Sequence, residues 1–258
     1  MYEPIKEGDR TKARATYRIA DHLFEITSAY AHVHIMCQKY ECVADREPDY
    51  RISTDYEDIE AERIFANEEN LLEGLPETTY GKSFLETTAI YRKIADALVN
   101  DDVILYHGSV VSVDGQGYLF TAKSGTGKST HTALWREMFG ERAVMVNDDK
   151  PLLQVKEDSV IVHGTPWNGK HRLGNNISVP LKALCILERG EKNVIERVEP
   201  ASVLPLLMQQ INRMSDPVKL LKTMDALERI LKIVPIYRLK CNMEPEAAKV
   251  SYEGMQEL

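Results

Sequence analysis

The chain has 258 residues, 43% of them apolar and 28% charged, which is the composition of a folded globular protein with one elaborated domain or two small ones. Its formal net charge of -8 argues against a nucleic acid as partner, because nucleic-acid binders gather Lys and Arg on one face. The chain shows no apolar run of roughly 18 residues and no hydrophobic segment near its start, so we expect no membrane partner and a cytoplasmic location.

The first hundred residues predict a small α+β lobe. Alternating apolar and polar residues at 17–26 and again at 31–37 predict two short strands joined by a turn. Residues 44–80 are acidic and poorly periodic, which predicts a solvated surface without chemistry. The four cysteines form no pair of metal-ligand spacing, so we interpret them as reduced packing residues.

A second region of different texture begins near residue 100. Apolar positions at helical spacing predict a helix over 83–99. Beyond it, strand-like runs at 103–107, 109–113 and 118–121 indicate a sheet, with a turn at 114–117. These changes predict an N-terminal lobe over residues 1–99 and a second domain over residues 100–258. His107 ends the first of these strands and, from spacing alone, is as often a satisfied polar group as a functional one.

The strongest signal is the segment Ala122-Lys-Ser-Gly-Thr-Gly-Lys-Ser129, which lies between a predicted strand and a predicted helix. This context is typical of a phosphate-binding loop. Gly125 and Gly127 allow successive backbone N–H groups to point inward, and the following helix adds its unpaired N–H groups. We expect Lys128 to reach the β- and γ-phosphates and Ser129 to bind Mg²⁺. The residues expected to hold the nucleotide are Ser124, Gly125, Thr126, Gly127, Lys128, Ser129 and Thr130.

One position departs from the general loop pattern. Its first glycine is replaced by Ala122, so the backbone there must adopt a conformation that is open to an L-residue. A loop that binds nucleotide without turnover is the alternative that this departure leaves open.

Two neighbouring acids, Asp148 and Asp149, follow the apolar run 143–147. Because adjacent strands of an α/β sheet bring their ends to one edge, this pair is expected to meet the magnesium of the nucleotide. One acid can coordinate the ion while the other accepts a hydroxyl proton. The alternative interpretation is an acidic turn after a strand.

The segment 163–172 contains turn-forming residues, the indole of Trp167 and two cations. Lys170 and Arg172 are candidates to neutralise charge on a transferring phosphoryl group. The alternative is a surface loop with solvated cations. We predict that this loop contributes to function because Pro166 and Gly169 shape its backbone.

The last third predicts three helices and a strand. The helices are expected near 203–212, over 217–234 and from 244 onward, and the strand over 235–241. In the second helix an apolar stripe predicts a face that packs in the core. Its members are Val218, Leu221, Met224, Leu227, Ile230 and Leu231.

Three segments together resemble the catalytic domain of HPr kinase/phosphorylase, a family grouped with phosphoenolpyruvate carboxykinase in a distinct P-loop fold. These segments are 106–113, 122–129 and 146–149, and the resemblance covers about residues 100–190. It implies an α/β fold with a mixed sheet and ATP-dependent phosphorylation of a serine hydroxyl. It further implies Asp148 as proton acceptor, Asp149 on the magnesium side and His107 in the phosphate site. HPr kinases form hexamers, so a homo-oligomer is expected.

The chain also departs from that family. Thr130 stands where true HPr kinases have an acidic residue, their later Gly-Arg-Asn signature has no clear counterpart, and residues 1–99 do not resemble their N-terminal domain. HPr is therefore not the favoured substrate. Relatives of this kind also phosphorylate a serine of a precursor peptide, and that resemblance fits a short chain with a different N-terminal lobe.

The leading hypothesis is a MgATP-dependent kinase acting on a hydroxyl, with a peptide or protein serine as favoured acceptor. Asp148, His107, Lys128 and Arg172 are its expected catalytic residues, and Ser129 and Asp149 its metal ligands. The N-terminal lobe and the loop with Trp167 are expected to choose the acceptor. A kinase of a small molecule and a nucleotide-binding regulator without turnover are the alternatives, and the sequence leaves ATP and GTP undistinguished.

Overall fold

A computed structural model describes residues 13–72, 76–212 and 214–256. The chain divides into two compact units, Met1–Ala97 and Leu98–Leu258, and both combine helices with a β-sheet. Within the described ranges, no helix has the length and apolar character needed to cross a membrane.

The first unit contains a three-stranded sheet in the order β1-β2-β3. Strands β1 (Arg14–Ile19) and β2 (His22–Thr27) form an antiparallel hairpin, and β3 (Tyr50–Ser53) adds in parallel to β2. The hairpin turns at Ala20 and Asp21, which both have positive φ, as a tight hairpin turn requires. The helices are α1 (His32–Cys37), α2 (Tyr56–Leu72) and α3 (Lys82–Leu98).

One sequence prediction for this unit is wrong, and another is incomplete. The alternating run 31–37 forms helix α1 instead of a strand, because Val33 and Cys37 lie four residues apart and bury one helical face. The acidic run is mostly solvated, as predicted, but it also contains helix α2, in which Ile59 and the charged residue Glu62 are buried. Glu62 forms an ion pair with Arg92, with Oε2 and Nε 2.8 Å apart. A charged residue therefore occupies a core position, and the apolar period of the helix is hidden in the sequence.

The second unit is built on a nine-stranded mixed sheet in the order β4-β8-β9-β10-β6-β5-β7, to which β12 and then β11 are added beside β10. The sheet branches at the long strand β10, whose first residues pair with β9 and whose remainder pairs with β6 and β12. The strands are β4 (Val103–Leu105), β5 (Ser109–Val113), β6 (Gln116–Thr121), β7 (Ala143–Asn147), β8 (Leu152–Val155), β9 (Val160–His163), β10 (Ser178–Arg189), β11 (Val194–Arg197) and β12 (Ile236–Cys241).

In the described part of this unit the α-helices are α4 (Lys128–Phe139), α5 (Pro200–Met208), α6 (Pro217–Ile233) and α7 (Glu246–Gly254). The mixed sheet with its helices confirms the predicted α/β class. The predicted strands around the turn at 114–117 and the predicted helices and strand of the last third are also present. At that turn, Asp114 and Gly115 both have positive φ, which suits a two-residue hairpin.

Helix α4 is fixed to the sheet by an aromatic cluster. Trp135 is fully buried, with its ring centroid 4.8 Å from that of Tyr118 and 5.2 Å from that of Phe120. The indole N–H of Trp135 donates to Ser251 Oγ at 2.9 Å, so its polar atom is satisfied. The residues that precede Trp135 on the helix are therefore held at a defined place on the sheet.

The predicted core stripe of α6 is only partly correct. Leu227 and Ile230 are fully buried, whereas Val218 is 62% exposed and Leu221 is 70% exposed. The buried face instead begins at Thr223, a small polar residue whose hydroxyl donates to the carbonyl of Lys219. A stripe chosen by apolar character alone therefore included side chains that face solvent.

Replacing Trp135 by Ala removes the centre of the aromatic cluster and leaves a cavity. We expect Trp135→Ala to lower the free energy of unfolding by about 3 to 5 kcal/mol. The matched control is Met138→Ala on the same helix, where the side chain is 44% exposed and the loss should stay below about 1 kcal/mol. Urea denaturation followed by circular dichroism measures both, and equal losses would contradict the central packing role of Trp135.

Candidate functional site

The segment between β6 and α4 forms a tight loop. Gly125 and Gly127 have φ values of +73° and +122°, and a Cβ atom at either position would meet nothing within 4 Å. Glycine is therefore required there by backbone conformation rather than by space. Ala122 does not share the positive φ, which explains why an alanine is accepted at the first position of the pattern. Lys128 donates from Nζ to the carbonyl of Ala122 at 3.2 Å, across the base of the loop.

The acid pair lies at the same edge of the sheet as this loop. Strands β6 and β7 are both antiparallel to β5, which lies between them, so they run parallel to each other. The loop follows β6 and the acids follow β7. The sequence predicted neighbouring strands, but β5 lies between them.

A hydrogen-bonded chain of side chains crosses the gap made by β5. Asp148 is 6% exposed, and its Oδ1 accepts from Ser109 Oγ at 2.6 Å. Ser109 Oγ also lies 3.1 Å from Thr132 Oγ1, on the first turns of α4. The buried carboxylate is thus linked through two hydroxyls to the helix that follows the phosphate loop.

Asn147 shapes the backbone that carries both acids. Its Oδ1 accepts from the backbone N–H groups of Asp149 at 2.8 Å and Lys150 at 2.7 Å. Its Nδ2 donates to Thr165 Oγ1 at 2.9 Å, and the Thr165 hydroxyl lies 2.8 Å from the carbonyl of Lys150. A buried amide that bonds to its own following residues stabilises a turn. The orientation of the acid pair therefore depends on Asn147.

His107 and Asp149 face each other, with Nε2 and Oδ1 3.4 Å apart. Burial, followed by the positive charges of Lys128 and Lys150, lowers the pKa of His107 to about 4. Burial raises the pKa of Asp149, and Lys150 and Lys128 oppose that rise. At neutral pH the imidazole is uncharged, so it can donate one hydrogen bond and accept another. The backbone of His107 is held by the carbonyl of Gln210 at 2.7 Å.

The loop between β9 and β10 passes beside the acids through its backbone. Gly169 has φ +70°, and a Cβ atom there would lie 3.2 Å from Asp149 Cβ. Trp167 is only 5% exposed, so its indole packs inside the protein and does not form a surface for a partner. Arg172 is exposed, has φ +51° and makes no polar side-chain contact with the part of the chain that the structure describes. Lys170 is exposed as well.

The structure thus brings together the glycine loop, Lys128, Asp148, Asp149 and His107. Arg172 lies with Gly169 in the loop between β9 and β10, but its side chain does not contact the acids in the described structure. Ser129 lies on the first turn of α4 and is half-buried, while Ser124 and Thr130 are exposed. Thr126 is half-buried.

Sequence reasoning missed three residues of this site, and each had a recognisable signal. Lys150 directly follows the acid pair, and its charge acts on both His107 and Asp149. Asn147 directly precedes the pair, where asparagine is a frequent turn former. Ser109 begins the strand after His107, but its role depends on a strand order that the sequence does not reveal.

The oxygen donors suit a hard cation that is shared with a bound phosphate. In the described ranges, no three His, Cys, Asp or Glu side chains cluster in a way that could hold a metal ion. Mg²⁺ usually keeps water and phosphate ligands and takes one or two groups from the protein. The Ser129 hydroxyl and the Asp149 carboxylate fit that pattern.

No protein-family profile matches the chain, and no curated protein matches its sequence. Among solved structures, it is similar to the Hpr(Ser) kinase/phosphatase from Coxiella burnetii. The identity is 11%, the match covers 59% of this chain and 97% of that one, and the TM-score is 0.34. A similarity of that size does not indicate the activity of this chain.

The charge state of His107 can be tested directly. We expect its imidazole to titrate at a pKa of about 4 in NMR spectra of histidine-labelled protein, with His107→Gln identifying the signal. Lys128→Ala should raise that pKa, because a nearby positive charge disfavours the imidazolium ion. Lys156→Ala, a change of an exposed lysine in the β8–β9 turn, should leave it unchanged. Titration near the ordinary value of about 6.5 would contradict the described burial.

Proposed function

We propose that this protein is a MgATP-dependent kinase that transfers the γ-phosphate to a hydroxyl group. The observation that carries the proposal is the meeting of a glycine-shaped loop and helix N-terminus with an acid pair at one sheet edge. A glycine loop at a helix N-terminus can bind the phosphates of a nucleotide. A carboxylate beside it can accept the proton of a hydroxyl group that attacks there. The motif resemblance to HPr kinase supports a related P-loop fold for this unit.

In the proposed reaction, backbone N–H groups of the loop and the Lys128 ammonium hold the phosphates of ATP. Ser129 and Asp149 hold Mg²⁺, which neutralises charge on the β- and γ-phosphate oxygens when it is bound. The neutral imidazole of His107 donates to a phosphate oxygen without adding charge. Arg172 is a proposed contact of the transferring phosphoryl group, since its exposed guanidinium is accessible to a substrate.

The acceptor oxygen attacks the γ-phosphorus, the bond to the β–γ bridging oxygen breaks, and ADP leaves. The hydroxyl proton passes to Asp148. Because Ser109 occupies Oδ1 of that carboxylate, Oδ2 is the oxygen assigned to the proton. The hydrogen bond also fixes the plane of the carboxylate, which proton transfer requires.

A serine of a peptide or protein is the favoured acceptor, and the N-terminal unit is its proposed recognition element. The motif resemblance supports this choice and a homo-oligomeric assembly. A small-molecule acceptor is the second proposal within the same chemistry. A nucleotide-binding regulator without turnover is less well supported, because a sensor has no need of a buried carboxylate held by Ser109.

The first test is transfer of label from γ-labelled ATP with Mg²⁺ to serine peptides or cell metabolites. We expect Lys128→Ala to reduce transfer at least about 100-fold, as removal of one preorganised charge does in comparable sites. Lys156→Ala, which lies outside the site, should keep normal activity. The fraction that receives the label identifies the acceptor class. Tight ATP binding without transfer to any fraction would leave the regulator as the function.

The roles of the two acids can be separated by their metal dependence. Asp148→Asn should lower kcat by about 100- to 10,000-fold, with no rescue by added metal, because a base is lost. Asp149→Asn should raise the concentration of Mg²⁺ needed for half-maximal activity, with partial rescue at high Mg²⁺. If the two variants exchange these responses, Asp149 is the base and buried Asp148 is the metal ligand.

A further inference from the structure

A cleft of about 510 Å³ opens beside the phosphate loop and extends beyond the residues assigned to the phosphates and the metal. It lies between the loop, the first turns of α4 and the carboxyl ends of β10 and β12. Its volume is that of a small-molecule site. The wall residues that matter here are Gly125, Thr130, Leu134, Leu187, Arg189 and Met243.

The cleft and the acids lie on opposite sides of strand β6, because β10 and β12 follow β6 in one direction across the sheet and β5 and β7 follow it in the other. His107, Asp148 and Asp149 do not belong to its wall, whereas Gly125 and Thr130 do. Lys128 acts electrostatically on His107 and Asp149, so the γ-phosphate end of a bound nucleotide is on the acid side. The opposite end of the phosphate chain must then leave the loop over Gly125 and Thr130, into the cleft.

The walls combine apolar surface with one cation. Leu187, Leu134 and Met243 supply apolar contacts. Arg189 donates from Nη2 to the carbonyl of Gly125 at 2.7 Å, so its guanidinium lies against the loop where an inner phosphate would pass. An apolar slot with a cation at its phosphate end is suited to a base and ribose that carry a phosphate.

His131, which also lines the cleft, is 3% exposed and has an unpartnered Nδ1 in the described structure. Its Nε2 lies 3.1 Å from Ser251 Oγ and 3.2 Å from Trp135 Nε1. Trp135 is the centre of the aromatic cluster on α4, and Ser251 on α7 accepts its indole N–H. Nδ1 is enclosed by protein atoms, so His131 shapes the inner wall of the cleft and offers no polar contact to a ligand.

Among the described residues, one carboxylate belongs to the cleft wall, and it is already paired. Glu188 pairs with Arg238 at 3.1 Å. Recognition of guanine needs an acceptor for its N1–H and amino groups, and a paired carboxylate meets this need poorly. The wall therefore favours contact with the faces of a base over readout of its edge.

From these observations we infer that the cleft is the nucleoside subsite of the proposed nucleotide, holding base and ribose between Leu134, Leu187 and Met243. Arg189 contacts the phosphate nearest the ribose. The inference rests on the proposed function and adds to it the direction of the nucleotide and a weak selection between adenine and guanine.

The chain carries its own reporter for this subsite. Cys241 lines the cleft and is half-exposed, while Cys42, also half-exposed, belongs to the other unit and serves as internal control. Alkylation of both thiols by N-ethylmaleimide at mildly alkaline pH can be followed by mass spectrometry. Because burial raises the pKa of Cys241, Met243→Cys adds a second reporter at a position that is 78% exposed.

At ligand concentrations about ten times the dissociation constant, MgATP and MgGTP should slow alkylation at the cleft about tenfold and leave Cys42 unchanged. Magnesium tripolyphosphate fills the phosphate loop without a nucleoside and should leave the cleft thiols within about twofold of the free rate. Thermal shifts establish separately that each ligand binds.

Each outcome decides a different point. If MgATP stabilises the protein but protects neither Cys241 nor the thiol introduced by Met243→Cys, the subsite is wrong and the kinase proposal stands. Equal protection by tripolyphosphate would also overturn the subsite. If neither MgATP nor tripolyphosphate binds, the proposed function itself falls. Strong protection by one nucleotide alone would overturn the inferred weak base selection.

Discussion

The arrangement of the site depends on the parallel run of β6 and β7 on either side of β5. This pairing brings the loop after one strand and the acids after the other to a single edge, although the two strands never touch. The middle strand runs in the opposite direction, so its first residue, Ser109, lies at that edge too. The contact between the Ser109 hydroxyl and Asp148 bridges the gap that the intervening strand β5 would otherwise leave.

Charge balance accounts for much of the remaining geometry. Lys128, Lys150 and the Asp149 carboxylate lie around His107, and burial makes each charge costly unless another opposes it. In the free protein Lys128 donates to the backbone of Ala122, which keeps its ammonium group at the base of the loop. A phosphate that binds there would meet a cation already positioned, and little reorganisation would be required.

Local signals predicted much of this molecule, and long-range ones did not. The glycine loop between a strand and a helix was predictable because positive φ at Gly125 and Gly127 has a strong sequence signature. The strand between loop and acids, and hence Ser109, was not, because strand order depends on pairing across many residues. Helix α2 escaped prediction for a different reason: Glu62 fills a core position through its partner Arg92, and polar core residues leave no apolar period.

The neutral state of His107 changes how that position should be compared with other residues. Histidine usually gives a protein its sensitivity to pH near neutrality, but this imidazole stays uncharged well into the acidic range. Chemically it is closer to a carboxamide than to a titrating base, with one donor and one acceptor on a rigid frame. Asparagine or glutamine would therefore be its nearest functional equivalents, and a lysine or arginine, despite its positive charge, would be the more disruptive replacement.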